Sequence, residues 1–135
     1  MIACRIPRPA EHAPNAAALG CWLGISLVGL ALLPAGSAWR SLWLAPWCEE
    51  AVWRWGLQAP LARRFGTHAA VWLSAVAFGL AHLLFARDPA DAWRAAATAL
   101  PAAWIGRVFA RSGQLAPCVA WHAGFNLVWL ATHGP

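Results

Sequence analysis

Charge is what this chain has least of. Only 11% of its 135 residues are charged, against roughly 25% in an average soluble domain. A soluble globule of this size needs far more polar residues to cover its surface, so that class is excluded. Lysine is absent: the net charge of +5 comes from ten arginines set against five acids. Nor do the arginines gather into the basic stripe that a nucleic-acid groove needs. They fall singly or in pairs at the ends of apolar runs, which argues for membrane flanks and against a nucleic-acid partner. The four cysteines, Cys4, Cys21, Cys48 and Cys118, include no C-x-x-C pair. Disulfide and metal spacing are therefore missing, and the cysteines read as small apolar packing residues.

What remains is hydrophobic, at 61% of the residues. The chain reads as an all-α polytopic membrane protein, a single transmembrane domain over residues 1–135. A polar lead at 1–15 precedes about five transmembrane helices, expected near 16–34, 42–62, 68–86, 92–109 and 115–132. The first carries no charge. A small-residue GSA at 36–38 resembles a signal cleavage site, but its apolar run outlasts the about 7–15 residues of a signal core, so a retained helix is expected. Pro46 suits a first helical turn or a kink, and Pro101 interrupts the fourth segment.

If all five segments cross, the arginines sort by side. One side receives Arg5, Arg8, Arg63, Arg64, Arg107 and Arg111, the other Arg40, Arg87 and Arg94. The positive-inside rule then places the N-terminus in the cytoplasm and the C-terminus outside. Trp39, Trp43, Trp72, Trp93 and Trp129 lie near segment ends, where indoles favour the interface. Trp47, Trp53, Trp55, Trp104 and Trp121 lie deeper and are expected to pack.

Little polarity is left inside the segments: Glu49, Glu50, Arg54, His82, His122 and Asn126. Ionisable groups in hydrocarbon cost at least ~2.5–3.5 kcal/mol each, so they default to function. Glu50 and Arg54 are four apart and can pair on one helix face. That leaves Glu49, about 100° around the helix, without an intrahelical cation. His122 and Asn126 repeat the interval, as do Phe78 and His82. At ~1.5 Å per residue, Glu49, His82, His122 and Asn126 lie about 12, 6, 15 and 9 Å below the outer segment ends. All four therefore share one half of the bilayer. A buried carboxylate can take a proton from water near neutral pH, while an imidazole and an amide can donate to the oxyanion formed when that water attacks a carbonyl. These are the parts of a peptide hydrolase.

Three motifs resemble those of the CAAX-protease and bacteriocin-processing (Abi) family of intramembrane proteases: Glu49-Glu50-Ala51-Val52-Trp53-Arg54, Phe78-Gly79-Leu80-Ala81-His82 and His122-Ala123-Gly124-Phe125-Asn126. The resemblance implies that Glu49 is the base, His82 its water-holding partner, and His122 and Asn126 the oxyanion donors. Glu50, Arg54 and Phe78 support them. It implies a mechanism without a cofactor, although Glu49, His82 and His122 could in principle ligate zinc. Where the family often continues with F-R-G, this chain has Trp53, then Trp55 before Gly56. It is also shorter than relatives with about eight helices.

Small bacterial members resemble the proteases of C-terminal sorting systems, including the JDVT-CTERM type. The resemblance implies a bacterial inner-membrane enzyme whose site faces outward. Its partners would be the lipid bilayer and a protein substrate with a C-terminal membrane-anchoring tail. Two rival readings remain: a non-catalytic membrane immunity or interaction protein on the same fold, and a b-type haem carrier using His82 and His122.

Overall fold

A computed structural model describes residues 39–133, together with Gly20 and Gly24. The expected first helix lies outside these residues. α1 spans 40–65 as one continuous rod of four stretches: Arg40–Leu44, Ala45–Glu50, Ala51–Gln58 and Ala59–Phe65. The first and third are π-helical. Each precedes a proline, Pro46 or Pro60. A proline has no N–H to donate, and its ring crowds the carbonyl four residues back. Those carbonyls, at residues 42 and 56, fall inside the two π stretches, where the winding has opened instead of breaking.

α1 ends at Gly66, whose φ of 81° is open to a residue without Cβ. α2 follows as Thr67–Leu83. The fourth expected segment is not one helix but two, α3 (Pro89–Ala97) and α4 (Ala99–Ser112). Pro101 explains the break, because its ring would collide with the carbonyl of Ala97 in an uninterrupted helix. Asp88 caps α3 by accepting from the Asp91 N–H at 2.8 Å, with Pro89 at the first helical position. α4 closes on Gly113, at φ 68°, whose N–H donates to Phe109 O at 2.8 Å. α5 is Leu115–His133.

α4 is the central helix. It runs antiparallel to α2, with Gly79 against Ala99 at one end and Val71 against Gly106 at the other. Its Ile105 and Phe109 join Ala51, Ala59, Leu115 and Cys118 in one core cluster, and its Ala102 and Ala103 join Ala75 and Phe78 in a second. The buried Cys48 and Cys118 are free, as packing cysteines should be.

α2 is smaller inside than outside: of its six buried residues Ala70, Ser74, Ala75 and Gly79 are small, Val71 and Phe78 being the larger two, while Leu73, Val76 and Leu80 are exposed. Small residues inside and large aliphatics outside are what helices show when their outer surroundings are lipid. Trp104 and Trp121, expected as packing, are instead 44% and 46% exposed and lean edge-on against each other. Trp47, Trp53 and Trp55 do pack against the core. Among the described residues no helix is long and apolar enough to cross a membrane. α2 has 17 residues, and the 19 of α5 include His122, Asn126 and His133; roughly 20 predominantly apolar residues make a span.

Candidate active site

Glu50 and Arg54 are four apart on α1, and the guanidinium Nε donates to Glu50 Oε2 at 2.6 Å with both side chains fully buried. The π winding extends the row by one more interval. Hydrogen bonds reaching five residues back align residues four apart more nearly than a 3.6-residue turn does, and Gln58 comes next in line. Arg54 Nη1 donates to Gln58 Oε1 at 2.8 Å, and Gln58 Nε2 donates to Gly106 O on α4, also at 2.8 Å. Arg54 Nη2 has no hydrogen-bond partner.

The other oxygen of Glu50 faces α5. Glu50 Oε1 accepts from His122 Nδ1 at 2.7 Å. This carboxylate is therefore bonded at both oxygens, to a guanidinium and to an imidazole. The result is a buried polar chain running His122–Glu50–Arg54–Gln58–Gly106 across three helices. Each link satisfies a group that would otherwise be costly to bury.

Glu49 stands apart from that chain. It is half-buried, and its Oε2 accepts no hydrogen bond. Its near neighbour is His122 Nε2, at 3.8 Å, too far for a direct hydrogen bond. With Nδ1 turned to Glu50 and Nε2 turned towards Glu49, the His122 ring stands between the two acids.

His82 lies on α2. Its Nδ1 donates to Phe78 O at 3.0 Å, since a carbonyl can only accept. In that tautomer Nε2 is the acceptor position. Phe78 packs against both imidazoles, with ring centroids 4.3 Å from His82 and 6.1 Å from His122. A cavity of about 360 Å³ is lined by Glu50, Phe78, His82, His122 and Asn126 and extends along α5 to Trp129 and His133.

Two sequence expectations fare differently here. Asn126 lines the cavity, but its Nδ2 donates to Ser41 O at 2.8 Å, tying α5 to the start of α1. An amide nitrogen carries two protons, so one N–H is left over. Glu49, His82 and His122 do not form a metal-holding set: among the described residues no three His, Cys, Asp or Glu side chains converge for an ion. Gln58 was not foreseen. Its signal was present, as a third polar residue at the interval already joining Glu50 to Arg54.

This is an all-helical architecture built around a pair of adjacent glutamates. A family model for the Type II CAAX prenyl endopeptidase Rce1-like family matches residues 31–128, most of the chain. The chain belongs to that family of intramembrane proteases. No curated protein and no solved structure matches it.

Proposed function

We propose that the protein is a glutamate-dependent intramembrane endopeptidase that cuts near the C-terminal membrane-anchoring tail of a target protein. One observation carries the choice of base: of two adjacent glutamates, Glu50 is bonded at both oxygens, while Glu49 keeps one oxygen unpartnered beside an imidazole.

In this mechanism a water donates one proton towards Glu49 Oε2 and the other towards His82 Nε2, which points its lone pair at the substrate carbonyl. Glu49 takes the first proton as the C–O bond forms. The oxyanion accepts hydrogen bonds from a protonated His122 Nε2 and from the second N–H of Asn126. As the C–N bond breaks, the proton on Glu49 passes to the leaving amine. Glu50, bonded to His122 Nδ1, holds that ring in register and balances its charge, and Arg54 balances Glu50. No step calls for a metal.

The membrane assignment is supported by family membership and by the outward-facing aliphatics of α2. The arginines support a cytoplasmic N-terminus, with the site and the C-terminus towards the outer side of a bacterial inner membrane. A bundle of about five helices, an outward site and a membrane-tail substrate together favour a sorting-type protease of the JDVT-CTERM kind.

The test is co-expression with an exported protein that ends in a distinctive C-terminal helix, encoded beside this gene. Wild type should shorten that protein, and Glu49→Gln should leave it uncut. Equal cleavage by both would remove Glu49 from the mechanism.

A further inference from the structure

We propose that a second cavity, between the first turn of α2 and the last turns of α4, binds the acidic headgroup of a glycerophospholipid. The proposal rests on the membrane reading but not on the protease mechanism. The cavity measures about 330 Å³ and is lined by Thr67, His68, Trp72, Arg107 and Arg111 among others. His68 and Trp72 are four apart on α2, and Arg107 and Arg111 are four apart on α4. Each pair therefore shares a helix face, and the antiparallel packing of the two helices sets one pair opposite the other.

The Arg107 guanidinium lies over the Trp72 ring, 4.9 Å from its centroid. An arginine stacked in this way is held in place by its flat face, which leaves its N–H edge for phosphate oxygens. Arg63 and Arg64, in the last turn of α1, sit just before the glycine at which α2 begins. Among the described residues no carboxylate pairs with Arg63, Arg64, Arg107 or Arg111. The described acids lie elsewhere, Glu49 and Glu50 midway along α1 and Asp88 and Asp91 at the start of α3.

A free phosphate would use only the cations. A lipid would also use what continues from them. Trp72, Val76 and Leu80, each four residues from the last, are 40%, 51% and 58% exposed and form an apolar strip down α2 that an acyl chain can follow. Basic pockets between transmembrane helices on the cytoplasmic side are where acidic headgroups bind, and this is the arginine-rich end.

The experiment is thermal unfolding of the full chain in neutral detergent, titrated with phosphatidylglycerol, phosphatidylcholine or inorganic phosphate. Phosphatidylglycerol should stabilise the wild type at no more than about a tenth of the phosphatidylcholine concentration. Arg111→Gln, at an exposed position, should weaken that response about fivefold, as expected for one arginine near acidic lipid. Raising salt to ~0.5 M should erase the preference in unmodified protein. Arg87→Gln, at the opposite end of α2, should change nothing. Equal responses to the two lipids, or an Arg111→Gln protein as sensitive as wild type, would overturn the proposal. So would inorganic phosphate protecting as well as phosphatidylglycerol.

Discussion

Glu50 Oε1 and His122 Nδ1 lie 2.7 Å apart although 72 residues separate them in the chain. That contact joins α1 to α5 and fixes which acid is committed and which is free. It also gives adjacent glutamates different expected phenotypes. Glu49→Gln should lower cleavage by about 10²–10⁴-fold, the range of a lost general base, with the melting temperature nearly unchanged. Glu50→Gln should lower both, since it weakens bonds to two buried partners. Cleavage assays alongside thermal denaturation in detergent separate the two. A strong chelator should leave wild-type cleavage intact, and inhibition reversed by added zinc would count against the glutamate mechanism.

Arg54 is the cation of a fully buried pair. Arg54→Met removes it and leaves the Glu50 carboxylate with only His122 as partner, a change that costs up to about 3–5 kcal/mol. Removing both charges strands neither, so Glu50→Leu with Arg54→Met should melt above Arg54→Met alone while remaining inactive. A double variant less stable than the single would show that Glu50 contributes mainly through His122.

The part of the site lying along one helix was legible in the sequence, because an interval of four fixes a neighbour whatever surrounds it. Glu50 with Arg54 and Phe78 with His82 are of that kind. Depth arithmetic put Glu49, His82, His122 and Asn126 in one half of the bilayer, but depth says nothing of direction around the helix. The sequence therefore could not say that His122 turns Nδ1 to Glu50, or that Asn126 turns to Ser41. Pro101 was seen in the fourth segment, yet whether a proline kinks or divides a helix depends on its packing, and here it divides α3 from α4. Trp104 and Trp121 were misread because position within a segment does not reveal which face meets lipid.

Asp88 caps α3 through a single bond to the Asp91 N–H. Asp88→Ala should cost about 1 kcal/mol, read as a modest fall in melting temperature. The hydrogen bond from Arg94 holds the Asp91 carboxyl below its ordinary range. A lowered folded value means that the stabilisation is present above the unfolded value and fades as pH falls through the folded one. Asp91→Asn should therefore differ slightly from wild type at neutral pH and converge with it in acid below about pH 4. The pair is exposed, so the neutral-pH difference is expected to be small.

The last link of the polar chain leaves little room beyond a glycine. A Cβ on Gly106 would sit 3.1 Å from Gln58 Oε1, 3.2 Å from Arg54 Nη1 and 3.3 Å from Val71 Cγ1. All three neighbours belong to buried side chains, so none can swing into solvent. Gly106→Ala should destabilise by about 1–3 kcal/mol, the usual cost of overpacking, and lower cleavage by pushing Arg54 off Glu50. Gln58→Ala alone should also lower stability, since it leaves Arg54 Nη1 and Gly106 O each short of a partner. Together the two changes should cost less than their sum, because the shortened side chain vacates the space the new methyl needs. A double-mutant cycle by thermal denaturation reads the coupling, and strict additivity would mean that Gln58 and Gly106 do not act as one unit with Arg54.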